Sequence, residues 1–371
     1  MINEFTYPAI ALLISSFVTA LAMPTLLRFC KRRGYFDIPN ERKVHHNQIP
    51  RLGGVLFVPA TLIGVMGVIV ILMLTGHSGP TFDASNFLTI SGIFLIYLIG
   101  LIDDLLGLPA SLKFLVQFIA ALFLPLCGIC LSNLYGFCGI YELPLVVSYP
   151  LTIFIVLLVV NAINLIDGID GLASGLCLLA LSIFAFLFGL HHHTYYVIFI
   201  AALMGSVIVF FFYNMKGSQK KFTKTFMGDA GSLTLGYALA YLTVKYAMSA
   251  PGSAPEHINP FFLAYTLIIL PTFDLIRVAL NRLRNGVSIF HADKTHIHHR
   301  FLAAGFSMRQ SLYCLLGIQV AYILINYALL LLTVPHIIII AADVLLFAGL
   351  FHLLSRRTDH ISKIQQNNEP A

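Results

Sequence analysis

Eleven apolar runs divide this chain, and no polar stretch between them is longer than about 30 residues. The runs fall near 7–28, 52–75, 86–102, 112–131, 148–166, 171–190, 195–214, 228–249, 260–280, 310–333 and 337–354. About 20 apolar residues in a helix cover the roughly 30 Å of hydrocarbon in a bilayer. Only 10% of the residues are charged, against roughly 25% in soluble domains. The expected fold is therefore all-α: a polytopic integral membrane protein of about eleven transmembrane helices. One transmembrane domain is expected over residues 1–355, followed by a tail at 356–371. With no soluble domain to hold a site, any chemistry must be built from helix ends and the loops 28–51, 103–112, 165–171, 214–230 and 281–309. The first cation is Arg28, so the N-terminal run reads as a first span and not as a cleaved signal.

The cations orient these spans. Of 22 lysines and arginines, all but Lys245 fall on one set of loops. The positive-inside rule then places the N-terminus outside and the C-terminus in the cytoplasm. The net charge of +6 follows from the same bias. Its cations are spread over several loops and form no single stripe, which argues against a nucleic-acid partner. Cys127, Cys130 and Cys138 read as small packing residues, not as a disulfide framework.

Asp103, Asp104, Asp167, Asp170 and Asp229 all stand at the cytoplasmic ends of such runs. A carboxylate at the bilayer centre costs on the order of 3 kcal/mol or more, so acids this close to hydrocarbon point to function. Asp103 and Asp104 are neighbours, and neighbours on a helix lie about 100° apart. One can face a metal or substrate while the other orients a partner; Lys113 follows at the next span. In Asn161-Ala-Ile-Asn164-Leu-Ile-Asp167-Gly-Ile-Asp170-Gly171, polar groups recur every third residue, and the glycines predict a helix break. Asn and Asp together supply donors and acceptors suited to a sugar nucleotide. Asn214 and a lysine-rich loop precede Phe226-Met-Gly-Asp229-Ala-Gly-Ser232, a pattern suited to phosphates and Mg²⁺, which needs only one or two carboxylates. Asp293-Lys-Thr-His296-Ile-His298-His299-Arg300 could grip a diphosphate. In the first loop, His45, His46, Arg51 and the Gly53-Gly54 pair fit either an anion site at a helix N-terminus or a solvated loop. His191 to His193 read as interfacial polarity on the outer face. Asp274 and Arg277 read as a simple pair three residues apart, and Asp343 stands in the last span without an evident partner.

Taken in order, Asp103-Asp104 with Lys113, Asn161 to Gly171, Phe226 to Ser232 and His296-Ile-His298-His299 resemble the polyprenyl-phosphate N-acetylhexosamine-1-phosphate transferases (glycosyltransferase family 4). The His-x-His-His form and Pro271–Arg277 look like the branch that uses UDP-N-acetylglucosamine. The chain departs from the common pattern at Ile289-Phe290-His291, where a proline-containing stretch is frequent. The resemblance implies transfer of HexNAc-1-phosphate from UDP-GlcNAc to undecaprenyl phosphate, with release of UMP, at the cytoplasmic face of a bacterial inner membrane. This step would initiate a cell-envelope polysaccharide. Mg²⁺, or Mn²⁺, is the implied cofactor, held by Asp229 and Asp103. The implied catalytic residues are Asp103, Asp104 and Asp229. Substrate binding falls to Lys113, Asn164, Asp167, Asp170, Asn214, His296, His298 and His299. The implied partners are the two substrates and the lipid bilayer, with room for a homodimer. The rival reading is an ion-coupled transporter, which predicts acids through the membrane depth and on both faces.

Overall fold

A helical segment occupies each of the eleven apolar runs. The computed structural model describes residues 6–37, 49–76, 84–218, 220–248, 259–289 and 295–368. The helices are α1 (Thr6–Arg33), α2 (Phe57–Leu74), α3 (Ala84–Leu106), α4 (Ala110–Leu126), α5 (Leu145–Ile166), α6 (Leu172–Leu190) and α7 (Thr194–Lys216). They continue as α8 (Gly228–Ala247), α9 (Pro260–Thr266), α10 (Ile269–Arg284), α11 (Ile297–Ala303), α12 (Met308–Leu331) and α13 (His336–Asn368). Among the described residues, two short antiparallel strand pairs are added to the expected all-α fold: β1 (Phe36–Asp37) with β2 (Ile49–Pro50), and β3 (Asn133–Phe137) with β4 (Ile140–Glu142).

Among the described residues, eight helical spans are long and apolar enough to cross a membrane, or nine if the bent pair α9–α10 forms one span. The eleven expected from sequence exceed this for two physical reasons. At 17 residues, α4 is about 25 Å long, short of the hydrocarbon thickness. By contrast α8 is long enough but less apolar, because it is the axis of the bundle and faces protein. Every residue from Ala230 to Val244 is buried, with α3, α5, α6 and α9 packed around it. Its Tyr237 hydroxyl is satisfied inside the bundle, donating to the Ala120 carbonyl at 2.9 Å.

The bend of 74° between α9 and α10 has a local cause. Pro271 lacks an N–H and cannot donate to the carbonyl of Leu267, four residues back. Gln319 of α12 repairs the break: its Nε2 donates to the Thr266 carbonyl at 2.7 Å and its Oε1 accepts from the Leu270 N–H at 3.2 Å.

Several boundaries differ from the sequence reading. α3 runs on to Leu106, which puts Asp103 and Asp104 in its last turn and not in a loop. The expected tail at 356 is a continuation of α13 to Asn368. The Gly53 and Gly54 N–H groups are taken by the carbonyls of Phe226 and Met227, at 2.9 and 2.8 Å, while the Phe226 N–H donates to Pro50 at 2.7 Å. The glycine pair therefore straps the segment that leads into α8, and neither of its N–H groups is left for the anion site that was one of two readings of this loop. His45, His46 and Asp293 lie outside the described residues. All six cysteines are free thiols.

Candidate active site

Asp229 opens α8, and Asp104 holds that opening in place. The first turn of a helix presents N–H groups with no partner inside the helix. Asp104 Oδ1 accepts from the Asp229 N–H and its Oδ2 from the Ala230 N–H, both at 2.9 Å. A carboxylate from α3 thus caps α8 from outside, where it also complements the helix dipole. Gly228 makes this approach feasible. Its φ is +75°, and a Cβ there would lie 2.5 Å from Asp104 Oδ2. Asp104, grouped with the catalytic acids by sequence, is consumed by this cap and is 5% exposed.

Its neighbour Asp103 points the other way. Asp103 Oδ1 accepts from the Leu108 N–H at 2.6 Å, and Oδ2 meets Lys113 Nζ at 3.1 Å. The same ammonium lies 2.9 Å from Asp229 Oδ2. On the far side, Asn164 Nδ2 donates to Asp229 Oδ1 at 3.0 Å and to Ser232 Oγ at 2.8 Å. Four helix ends, of α3, α4, α5 and α8, are thereby tied into one polar centre.

That centre forms one wall of a cavity of about 350 Å³, where Lys113, Asn164 and Asp229 face His296, His298 and His299. Gln117, Asn161 and Arg282 add further polar groups to the lining. The opposing wall is rigid. His296 Nδ1 pairs with Asp274 Oδ2 at 2.9 Å. Asp274 Oδ1 accepts from the Ile297 N–H at 3.0 Å and from Arg277 Nη2 at 2.8 Å. The carboxylate so sets the imidazole tautomer, leaving Nε2 as the other functional nitrogen. His298 is 2% exposed. Burial, then the neighbouring histidines His299 and His296, push its pKa down to about 3, so it works as a neutral imidazole. Its ring sits on Gly168, where a Cβ would come 2.0 Å from Nε2. Its Nδ1 has no hydrogen-bond partner among the described residues.

Five residues predicted to bind substrate or carry chemistry do not line this cavity: Asp103, which is tied to it through Lys113, and Asp104, Asp167, Asp170 and Asn214. Besides Asp104, Asn214 is buried, accepting from the Gly171 N–H at 2.7 Å and donating to the Thr225 carbonyl at 2.9 Å. It clamps the start of α6 to the strap before α8. Asp170 is paired with Lys224 at 2.5 Å. Asp167 closes α5, where burial and then the Asp229 and Asp170 charges raise its pKa to about 7. The expected break at the glycines is present: α5 stops at Ile166, and Gly171, at φ +78°, starts α6.

Three other residues, Asp274, Arg282 and Gln117, were not singled out by sequence reasoning as members of the site, and Asn161 was read only as part of its polar motif. Asp274 looked like a partner of Arg277 alone, and Arg282 like one more topogenic cation. Gln117 and Asn161 bond each other at 2.7 Å. Their signal was spacing, since Gln117 follows Lys113 by four and Asn161 precedes Asn164 by three, each on a shared helix face.

Clustered acids, amides, cations and an imidazole at helix ends have the chemistry to hold phosphorylated groups. A family model, "Glycosyl transferase family 4", matches residues 86–247. A decaprenyl-phosphate N-acetylglucosaminephosphotransferase of Mycobacterium tuberculosis is 33% identical over 312 residues, covering 80% of this chain and 76% of its own. The undecaprenyl-phosphate alpha-N-acetylglucosaminyl 1-phosphate transferase of Escherichia coli K12 is 29% identical, covering 81% and 78%. The chain belongs to glycosyl transferase family 4.

Proposed function

We propose that this enzyme transfers GlcNAc-1-phosphate from UDP-GlcNAc to undecaprenyl phosphate, releasing UMP, with Mg²⁺ as cofactor. The observation that carries this reading is Lys113 lying between Asp103 and Asp229, opposite three histidines across one cavity. A lipid phosphate oxygen attacks the β-phosphorus of the donor. The bond from that phosphorus to the bridging oxygen breaks, and its electron pair leaves with UMP. The attacking monoester is already mostly dianionic near neutral pH, so repulsion between anions is the main barrier. Proton removal is a lesser one.

The charge count explains why a cation fits. Asp103 and Asp229 are balanced by Lys113 and Arg282, so the site alone is close to neutral and cannot offset two phosphorylated substrates. The oxygen donors of Asp103 and Asp229 suit Mg²⁺, which leaves its other positions to water and phosphate. When bound, the ion supplies the positive charge that the diphosphate requires. Asn164 fixes the rotamer of Asp229. Lys113 is free to turn from the carboxylates to a phosphate oxygen. His296, oriented by Asp274, and neutral His298 supply hydrogen bonds to the departing side.

The loop charges favour a cytoplasmic site, with the N-terminus outside, in a bacterial inner membrane. The two substrates then meet where the headgroup layer borders the cytosol. The test is purified protein in lipid nanodiscs, given undecaprenyl phosphate, a panel of UDP-sugars and graded Mg²⁺. Formation of the lipid-diphosphate sugar and UMP only with UDP-GlcNAc and metal is expected. Absence of a lipid-linked product, or turnover undiminished by chelator, would defeat the reading.

A further inference from the structure

Asp343 is 1% exposed and lies inside α13, and no cation pairs with it among the described residues. Its Oδ2 accepts from Asn326 Nδ2 at 2.9 Å and from the Tyr265 hydroxyl at 3.2 Å. The Tyr322 hydroxyl donates to its backbone carbonyl at 3.3 Å. Two buried oxygens remain without a partner: Asp343 Oδ1 and Asn326 Oδ1. Both are acceptors, and two acceptors cannot satisfy each other. One proton on Oδ1 changes this. A carboxylic acid and a carboxamide are complementary, each giving one hydrogen and taking one, so both orphans are satisfied and the group is neutral. An ionised carboxylate left unpaired at this depth costs several kcal/mol on the order-of-magnitude scale for buried charge.

The pair is joined to the active site. Gln319, Tyr322 and Asn326 stand at i, i+3 and i+7 on one face of α12, the spacing of a single helix stripe. Gln319 satisfies the backbone at the α9–α10 break, and Tyr265 ends α9 in the grip of Asp343. Phe273 packs on Tyr265 at 6.1 Å and on Phe347, one turn after Asp343, at 5.7 Å. The next residue is Asp274, the carboxylate that holds His296.

We propose that Asp343 is a positioning residue, a neutral acid paired with Asn326 that, together with Gln319, fixes the bend carrying Asp274 to the histidines. Its effect on turnover rests on the transferase reading given above; the pair itself does not.

The test therefore has readouts independent of activity. Infrared difference spectra of the native protein minus Asp343→Asn in bilayers should show a carboxylic-acid C=O stretch; carboxylate bands in its place overturn the neutral acid. The chain contains no tryptophan, so Phe273→Trp creates a sole indole reporter at the joint. In that background Asp343→Leu and Gln319→Leu should shift the emission. Asp343→Asn keeps one donor and one acceptor and should leave it unchanged. Turnover should follow the same order: a fall of about 10²-fold for the leucine variants, the scale of a 1 Å misplacement, with a smaller change in donor KM, and recovery in Asp343→Asn. Unshifted emission in the leucine variants, or equal loss in Asn and Leu, overturns the positioning role. Absence of sugar-phosphate transfer by the native enzyme would count against the proposed reaction alone, since the infrared and emission arms would still report on the pair.

Discussion

Asp104 and Asp229 are joined through the backbone: the carboxylate of one caps the helix that the other begins, with both oxygens 2.9 Å from N–H groups of the first turn. The adjacent pair Asp103-Asp104 therefore divides its labour, one acid facing Lys113 and the other building the platform. Loss of a helix cap costs about 0.5–2 kcal/mol. Asp104→Ala should lower thermal stability by that order and reduce turnover as Asp229 drifts. Asp103→Asn should lower turnover while thermal stability stays near native. Scanning both variants by thermal unfolding and by transfer assay separates the roles, and equal destabilisation would contradict the division.

Asp229 meets Lys113 and Asn164 with its two oxygens, so Asp229→Asn keeps the shape and removes the charge. Turnover should vanish while membrane insertion and purification remain normal. Substantial activity at saturating Mg²⁺ would remove Asp229 from the metal assignment.

Much of this was legible because membrane helices announce themselves. Acids at the ends of apolar runs marked several residues that the fold brings together, and the glycines marked the break after Asp167. What stayed hidden depends on rotation and on distant contacts. Nothing local says that Asp104 turns toward α8 and Asp103 toward Lys113, or that Asn214 spends its amide on backbone groups of Gly171 and Thr225. Asp274 and Arg277 do pair as their spacing suggested, but the imidazole that gives Asp274 its importance lies 22 residues further on. Pro271 was visible, whereas the glutamine that repairs its break comes from another helix.

Asp167 offers a pH signature. Its pKa is raised from 3.8 to about 7, so between these values the folded state holds a proton that the unfolded state has released. Stability then falls as pH rises through this window; the contribution is whole below 3.8 and lost above about 7. Thermal midpoints in buffers from acid to mildly alkaline pH should fall between about pH 4 and pH 7 in the native protein, level off above that, and fall less in Asp167→Asn. Identical slopes in the two proteins would show that another group titrates.

The last prediction concerns Gly168 and His298. A Cβ on Gly168 would lie 2.0 Å from His298 Nε2, 2.4 Å from Cε1 and 2.7 Å from Cδ2. The whole ring edge, not one flexible atom, would have to move. The ring is buried and fixed by its place in α11, so its only escape is to leave the cavity wall. Removing one hydrogen-bonding group of this kind typically costs about 10²–10³-fold in rate. Gly168→Ala should therefore approach the loss seen in His298→Ala, although residue 168 brings no chemical group of its own. The two changes should not add, because each removes the same imidazole. In the double variant the methyl group at 168 meets no ring, and turnover should match that of His298→Ala alone. Transfer rates for the two single variants and the double variant complete the cycle. Fully multiplicative losses would show that Gly168 acts through something other than His298, such as the turn between α5 and α6.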